Sequence, residues 1–244
     1  MTAQPELSVV VLLYRTGDLA RDIVRILHDE LERSGINFEL VLVGNYLAGH
    51  PDSTPVILRE IAAKAKDCLV VTEEKQGMMG WDMRKGMAAA RGSHIAIIDG
   101  DGQMPMSDVP KVYRYLKTGG YDIVKTKRIE RHDGLYRKII SLLYNWLFRI
   151  LFDPRGQISD INSKPKIMTR KTYEALALDS SDWFIDAEIM IKALVMKMKI
   201  GEIPTVFHKN SNRGSFVPFW AIFEFLINLN RYHKKMKKEK CHEK

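Results

Sequence analysis

The sequence predicts an α/β fold in which a mostly parallel central sheet lies between two layers of helices. Along the first half of the chain, short apolar runs alternate with stretches whose apolar residues recur at helical spacing. Strict alternation of strands and helices is typical of a parallel sheet with crossover helices. Two carboxylates, Asp99 and Asp101, directly follow one of the apolar runs. Because ligands bind at the carboxyl ends of strands in such sheets, this position indicates a functional site.

The first two strand–helix units are recognised from their apolar patterns. Leu7–Leu13 is an apolar run with the length of a buried strand. In Asp18–Arg33 the apolar residues recur at helical spacing, and Ser34-Gly35 ends the predicted helix. Phe38–Val43 predicts a second buried strand, and Thr54–Ala65 predicts the second helix.

The same alternation continues through the next third of the chain. The remaining elements, in chain order, are a strand at Cys68–Thr72, a helix at Gly80–Arg91 that stops at Gly92, a strand at His94–Ile98, a helix that begins at Ser107 and Asp108, and a strand at Tyr121–Thr126. A chain of 244 residues fits one large domain with appended elements. We therefore predict one domain over residues 1–213, followed by a C-terminal helix and basic tail over residues 214–244.

The run Ile98–Gln103 carries the clearest chemical signal. Asp99 and Asp101 lie two residues apart where a strand passes into a glycine-containing loop, so their side chains point to the same side. Hard cations such as Mg²⁺ and Mn²⁺ take oxygen ligands and often share them with substrate phosphates. The run therefore predicts a site for a metal-bound diphosphate, although Asp-Gly is also a common turn dipeptide.

Composition restricts the classes of function. The net charge of +8 is partly local, because residues 233–244 hold six lysines and only two glutamates. Such a tail is a contact for an anionic membrane surface or for nucleic acid, or it is a solvated end. A nucleic-acid binder would need basic residues and stacking aromatics on one face, so we expect no nucleic-acid partner. Cys68 lies in an apolar run and Cys241 in the tail, which disfavours a disulfide and favours a reducing compartment.

Two segments of the second half predict helices that are apolar over most of their circumference. In Leu135–Phe152 the polar residues fall within one arc of roughly 120°, and in Phe216–Tyr232 they form one narrow stripe. No stretch reaches the ~20 apolar residues that span a bilayer. The pattern favours amphipathic helices at a membrane surface, and it leaves open that they pack on each other or across a dimer.

Taken together, these motifs resemble family-2 glycosyltransferases of the GT-A fold, and within them the branch with dolichyl-phosphate mannose synthase and bacterial polyprenyl-phosphate sugar transferases. The resemblance covers most of the chain and rests on eight segments in the family's order. They are LSVVVLLY, GWDMRKGMAAARG, IAIIDGDGQMP, YDIVKTKR, YRKIIS, SDINSKPKIMTR, IDAEIMIKALVMKMKIGEIPTVF and NRGSF. Their order and spacing make the resemblance far more specific than any single segment.

The resemblance implies a nucleotide-sugar donor and a divalent metal, Mg²⁺ or Mn²⁺, as the cofactor. It implies that Asp101 ligates the metal and that Asp99 contacts the nucleotide or assists metal binding. Gln103 would orient the diphosphate or the metal shell, since a neutral amide binds phosphate or metal-bound water without adding repulsion.

Arginines near these motifs are candidates for binding phosphate groups, because guanidinium groups hold phosphate bidentately and stay charged. By motif position, Arg128 and Arg137 resemble the arginines that hold an acceptor lipid phosphate. Arg213 resembles the family's late arginine near the diphosphate. For each of them, the alternative is an ordinary solvated charge.

The need for a catalytic base depends on the acceptor. A phosphate acceptor is already an anion at neutral pH, whereas a hydroxyl acceptor would require a general base. Asp186 or Glu188, on the predicted helix after Trp183, are the candidates for that base. Their alternative role is structural, because carboxylates are favoured at a helix N-terminus by the helix dipole.

The predicted nucleotide pocket departs from the family pattern. The family usually has a carboxylate pair after its second strand, where this chain has Gly44-Asn45. The first strand ends in Leu13-Tyr14-Arg15, and the segment before the third helix reads EKQGMMGW. These changes leave the nucleobase and the donor sugar undetermined, and they leave open a degenerate pocket.

Three hypotheses follow from these observations. The leading one is a metal-dependent, inverting glycosyltransferase that passes a sugar to a polyprenyl phosphate, as a peripheral protein on the cytoplasmic, inner face of the cell membrane. A second is transfer to a saccharide or other hydroxyl in cell-envelope glycan synthesis. A third is a non-catalytic binding subunit with a degenerate nucleotide pocket. A homo-oligomer or a membrane partner stays open.

Overall fold

A computed structural model describes residues 4–132, 135–208 and 221–242. The strands in these ranges are β1 (Leu7–Leu12), β2 (Phe38–Val43), β3 (Cys68–Val71), β4 (His94–Asp99), β5 (Ile123–Arg131), β6 (Lys166–Thr169) and β7 (Ile200–Phe207). The helices in these ranges are α1 (Leu19–Ser34), α2 (Thr54–Ala62), α3 (Met79–Ala89), α4 (Asp108–Gly119), α5 (Leu135–Phe152), α6 (Arg170–Leu176), α7 (Ile185–Val195) and α8 (Ala221–His242).

Within the described ranges, these strands form one sheet in the order β3-β2-β1-β4-β6-β5-β7. β6 is antiparallel to β4 and β5, and the other neighbouring pairs are parallel. The chain proceeds outward from β1 to β3 and then returns to place β4 on the other side of β1. This reversal makes the carboxyl ends of β1 and β4 a topological switch point, and open α/β sheets bind ligands in the crevice outside such a point.

Helices cover both faces of the sheet, so the molecule has three layers. Val10 and Leu12 of β1 pack into a core built with α3, α5, α7 and α8. Val9 and Val11 point to the other side and pack with α1, α2 and α4. This alternation follows from the two-residue period of a strand. The predicted α/β class with a mostly parallel sheet is confirmed.

Two strands differ from what alternation predicts. β5 continues to Arg131 because its second half pairs with β7, as far as the pair Arg131 and Phe207. β6 runs against its neighbours because α5 and its flanking loops begin and end at the same edge of the sheet. The chain therefore enters β6 at the carboxyl edge instead of crossing back first.

The two apolar helices of the second half, α5 and α8, pack against each other. The rings of Tyr144 and Phe225 have centroids 5.0 Å apart. Phe148 on α5 and Leu229 on α8 are buried in the core. This packing buries the apolar side chains on one side of each helix. The predicted start of the last helix at Phe216 lies outside the described residues.

The opposite side of α5 carries a row of exposed apolar side chains, which we call the α5 stripe. Its members share one face of the helix and are 54–61% exposed: Ile139, Leu142, Leu143, Trp146 and Ile150. Contiguous exposed apolar surface of this kind marks an interaction site in soluble proteins. Among the helices that the structure describes, none is long and apolar enough to cross a membrane.

Candidate active site

The carboxylate pair lies where β4 leaves the sheet. β4 ends at Asp99, which is in register with Leu12 at the end of β1. The backbone N–H of Gly100 donates to the Leu12 carbonyl at 2.9 Å, and a Cβ at Gly100 would lie 2.8 Å from that oxygen. The Asp101 carboxylate accepts a hydrogen bond from the backbone N–H of Gln103 at 3.0 Å. Glycine thus permits the close approach between the loop after β4 and the end of β1.

Gln103 joins this loop to the end of β7. Its side-chain amide donates to the His208 carbonyl at 2.9 Å, and its own carbonyl accepts from the His208 backbone N–H at 2.9 Å. Gln103 is buried, whereas the His208 side chain is exposed. His208, the residue after β7, is therefore held directly by the loop that carries the carboxylates.

The donor atoms at this loop fit a hard divalent cation. Asp99 and Asp101 offer carboxylate oxygens two residues apart, and the side chain of Asp99 is 33% exposed. Oxygen donors at a partly open edge are the ligands that Mg²⁺ and Mn²⁺ prefer. A ligand set of Asp99, Asp101 and Gln103 stays a prediction.

A separate cluster of possible metal ligands lies at the other end of the sheet. It consists of His28, Glu32 and Asp67, whose ligand atoms are within 4.8 Å of one another. Asp67 precedes β3, so this cluster is at the amino edge of the parallel strands, away from the crevice. It does not contribute to the chemistry at Asp99.

Asp99 is linked to α7 through buried charged side chains. The ammonium of Lys164 lies 3.3 Å from Asp99 and 3.0 Å from Asp186, and Lys166 lies 2.5 Å from the other oxygen of Asp186. Lys164, Lys166 and Asp186 are almost fully buried. Positive and negative groups alternate along this chain of contacts, which is how a protein tolerates charge in its interior.

The two candidate bases, Asp186 and Glu188, are both held by hydrogen bonds and ion pairs within the protein. Burial raises the pKa of the Asp186 carboxyl, but Lys164 and Lys166 outweigh burial and hold that pKa below its usual value. Burial also raises the pKa of Glu188, yet hydrogen bonds from the loop at Asp179 and from Lys192 lower it to about 2. Both carboxylates are engaged by protein donors and are 0–1% exposed, an arrangement that favours structural roles for them.

Arg128 lies in the second half of β5 and is held by Asp160. Two guanidinium nitrogens each lie 2.6 Å from an oxygen of Asp160, and the guanidinium lies 5.2 Å from the ring centre of Phe207. Burial raises the pKa of Asp160, but Arg128 outweighs burial and holds that pKa far below its ordinary range. The fork fixes the plane of a cation that borders the crevice.

Behind this fork, a buried ion pair fixes the loop that carries Asp160. The Lys125 ammonium on β5 pairs with Glu202 on β7 at 2.5 Å and also donates to the Asp160 carbonyl. Glu202 in turn accepts from the backbone N–H of Ser159 at 3.0 Å. Two neighbouring strands therefore hold the position of Asp160, and through it that of Arg128.

The side chains of two predicted arginines lie outside the described part of the chain. Arg137 lies in the first turn of α5, but its side chain is not among those described. Arg213 lies outside the described residues. Their roles at a phosphate remain predictions.

The region of the predicted nucleotide pocket contains a buried network. Asn45, where the family has a carboxylate, donates to Asp82 at 2.8 Å and accepts from the backbone N–H of Glu73 at 2.8 Å. Asp82 also pairs with Lys75, whose ammonium lies 4.6 Å from the centre of the Tyr14 ring. Asn45, at the position after β2, is thus linked to a carboxylate of α3 that is itself paired with a lysine.

Sequence reasoning missed the lysines of these networks. Lys125, Lys164 and Lys166 lie in or beside apolar strand segments, and that context is the one signal that indicates their burial. A lysine in a buried strand requires an acidic partner, but the sequence does not identify which carboxylate it meets. The partners of Lys164 and Lys166 come from α7, about twenty residues further along the chain.

Comparisons with known proteins agree with this architecture. A family model described as glycosyl transferase family 2 matches residues 8–177. The chain is 25% identical to a dolichol-phosphate mannosyltransferase of Pyrococcus furiosus, over 94% of this chain and 64% of the relative. It is also 25% identical to a dodecaprenyl-phosphate galacturonate synthase of Rhizobium johnstonii, over 92% of this chain and 65% of the relative. The chain therefore spans less than two thirds of the length of these curated relatives.

Solved structures share the fold. A glucosyl-3-phosphoglycerate synthase from Mycobacterium tuberculosis, in complex with Mn²⁺, UDP and phosphoglyceric acid, superposes with a TM-score of 0.66 at 18% identity, covering 86% of this chain and 72% of that one. A mannosyl-3-phosphoglycerate synthase from Rubrobacter xylanophilus gives a TM-score of 0.69 at 16% identity, covering 96% and 75%. At these identities the likeness shows the GT-A fold alone.

Proposed function

The chain belongs to glycosyl transferase family 2, and we propose that it transfers a sugar from a nucleoside-diphosphate sugar to a polyprenyl phosphate. The family match and the polyprenyl-phosphate relatives confirm the resemblance on which this proposal builds. The observation that carries the proposal is the placement of Asp99 and Asp101 at the same edge of the sheet as the Arg128–Asp160 fork. A candidate anion-binding residue and a candidate metal-binding pair therefore lie at the same edge of the sheet.

On the donor side, we assign the diphosphate to the loop after β4. Asp99 and Asp101 would hold the divalent metal, and Gln103 keeps their loop attached to the end of β7. When bound, the metal supplies a Lewis acid that neutralises negative charge on the departing diphosphate. The bond from the anomeric carbon to the diphosphate breaks as the acceptor oxygen attacks the opposite face, which inverts the configuration.

On the acceptor side, Arg128 would bind the phosphate. The fork to Asp160 fixes the plane of the guanidinium. A phosphate acceptor needs no general base, since its oxygen already carries charge. The burial of Asp186 and Glu188, with their oxygens engaged by protein donors, therefore supports a phosphate acceptor over a hydroxyl acceptor.

A polyprenyl acceptor lies in a membrane, and the α5 stripe offers a surface for contact with one. Interfacial helices bury an apolar face at the boundary between headgroups and acyl chains. The lysines between His233 and His242 lie in the last part of α8 and would add attraction to anionic lipids. We place the protein as a peripheral enzyme on the cytoplasmic face of the membrane.

A second candidate function rests on the pocket region at Asn45. In the region of the predicted nucleotide pocket, Lys75 pairs with Asp82 and its ammonium lies 4.6 Å from the centre of the Tyr14 ring. This arrangement favours either an altered nucleobase or a binding subunit without transfer activity.

A thermal-shift panel separates the two candidates. The full chain is mixed with UDP-, GDP-, CDP-, ADP- and dTDP-sugars, each with and without Mn²⁺ or Mg²⁺. A metal-dependent rise in melting temperature with one nucleotide supports the transferase and identifies its base. A panel in which no nucleotide raises the melting temperature would favour the non-catalytic alternative.

A further inference from the structure

Lys164 has a role that neither the motif nor the proposed reaction assigns. Its backbone is fixed between β5 and β6, since the Thr126 hydroxyl donates to the Lys164 carbonyl at 2.6 Å and the Thr126 N–H donates to Pro165 at 3.2 Å. The side chain is 2% exposed and points from this anchor toward the end of β4. The ammonium thus reaches the carboxylate pair from inside the protein.

The contacts of Lys164 are those of a lysine in a buried ion pair, and not those of a residue that binds substrate. Its ammonium lies 3.3 Å from Asp99, 3.0 Å from Asp186 and 3.6 Å from the sulfur of Met79. An ammonium group has three N–H donors, so these three neighbours match its capacity. Lys164 therefore acts on the site through Asp99.

A fixed positive charge beside Asp99 affects any cation that binds there. The ammonium repels a divalent ion, and it competes for one oxygen of Asp99. Asp186 moderates both effects because it draws Lys164 away from Asp99. Asp186 is itself shared with Lys166, which has no described contact with Asp99.

We propose that Lys164 is a positioning residue that holds the affinity of Asp99 and Asp101 for a divalent cation low, so that the metal binds together with the nucleoside diphosphate. The inference rests on the proposed function insofar as that function places a metal at this pair. Because Lys164 restrains Asp99, the phosphate oxygens would supply the remaining metal ligands.

Two substitutions that should change metal affinity in opposite directions distinguish this role from a structural one. Replacing Lys164 with Met removes the competing charge, so affinity for the metal alone should increase about tenfold. Replacing Asp186 with Asn leaves Lys164 with Asp99 as its remaining carboxylate partner, so metal affinity should fall at least about threefold. Both variants remove a buried ion pair and should lower the melting temperature, and a purely structural role predicts no opposite change in metal affinity.

The experiment titrates Mn²⁺ alone into the full chain and follows the free ion by electron paramagnetic resonance. The variants are Lys164→Met, Asp186→Asn and, as the matched control, Lys166→Met, which removes a buried lysine from the same carboxylate. We expect Lys166→Met to change Mn²⁺ affinity less than about threefold. Lys164→Gln replaces Lys164→Met if the latter does not fold, as judged by circular dichroism.

The outcomes are distinct from those that test transfer. Tighter Mn²⁺ binding in Lys164→Met, with weaker binding in Asp186→Asn, supports the proposal even if the sugar acceptor is not a polyprenyl phosphate. Unchanged or weaker binding in folded Lys164→Met overturns it, as does an equal gain in Lys166→Met. Nucleotide-dependent transfer without any Mn²⁺ binding in Lys164→Met would also overturn it while leaving the transferase assignment intact.

Discussion

The Arg128 guanidinium and the Asp160 carboxylate form a two-pronged ion pair, in which Nε and Nη2 each lie 2.6 Å from a different carboxylate oxygen. Both side chains are 9% exposed, and Phe207 lies under the guanidinium. Burial restricts the geometry of this ion pair. The ion pair also borders the edge of the sheet where Asp99 and Asp101 lie. An arginine held in this way presents a fixed plane to an anion.

Replacing Arg128 with Lys should impair binding of the acceptor. Lysine keeps the charge but lacks the planar fork that matches both Asp160 and a phosphate. We expect the KM for polyprenyl phosphate to rise at least about tenfold, with the KM for the donor changed much less. Steady-state kinetics measures both. Arg25→Lys, at an exposed arginine of α1, should leave both values unchanged, and an unaltered acceptor KM in Arg128→Lys would remove Arg128 from the acceptor site.

Replacing Asp101 with Asn should abolish turnover and leave the fold intact. The amide keeps the shape of the side chain and can keep its contact with the Gln103 N–H, but it is a poor metal ligand. We expect kcat to fall by more than about a hundredfold, with a melting temperature close to that of the wild type. Asp67→Asn, at the opposite edge of the sheet, is the control for loss of a carboxylate. Full activity of Asp101→Asn would disprove the metal assignment.

Glu188 should stabilise the fold in a pH-dependent way. Its folded pKa is lowered to about 2 from an ordinary 4.5, so its ionised form favours the folded state. That contribution is complete above pH 4.5 and is lost as the pH falls toward 2. Chemical unfolding of wild type and Glu188→Gln should show a difference of ~1–3 kcal/mol at pH 7 that shrinks across this window. A stable Glu188→Gln protein with no turnover would instead identify Glu188 as a base.

The α5 stripe should bind lipid. Ile150→Glu places a charge on the stripe and should reduce cosedimentation with vesicles of phosphatidylglycerol and phosphatidylcholine at least about fivefold. Val56→Glu is the matched control, because Val56 on α2 is 55% exposed and Ile150 is 57% exposed. Equal cosedimentation of the two variants would instead assign the stripe to a protein contact, and analytical ultracentrifugation would then test for a dimer.

The fold was predictable where burial leaves a continuous apolar run. The predicted bounds Phe38–Val43 coincide with β2, and β1 and β4 differ from prediction by one residue. β6 was not predictable from alternation, since Lys166–Thr169 is short and opens with a lysine whose burial depends on a distant carboxylate. The extension of β5 likewise depends on β7, which lies some seventy residues further along the chain.

The location of the candidate site was predictable where a motif concentrates possible ligands in a few adjacent residues. Asp99, Asp101 and Gln103 lie together in sequence, and the structure places them at the end of β4. The contacts of Lys164 were not predictable, because they are made to Asp99 and Asp186, which are 65 and 22 residues away in sequence. Arg213 and the side chain of Arg137 lie outside the described part of the chain, and their roles stay predictions.

The central claim is transfer of a sugar onto a polyprenyl phosphate, and the most direct test is the structure of the product. The full chain is incubated with Mn²⁺, the nucleotide sugar that the thermal-shift panel selects, and an equimolar mixture of undecaprenyl phosphate and oligosaccharides. Nuclear magnetic resonance then determines what is glycosylated and with which anomeric configuration. We predict a polyprenyl-phosphate sugar whose configuration is opposite to that of the donor. A glycosylated oligosaccharide, or a prenyl product with retained configuration, would contradict the account.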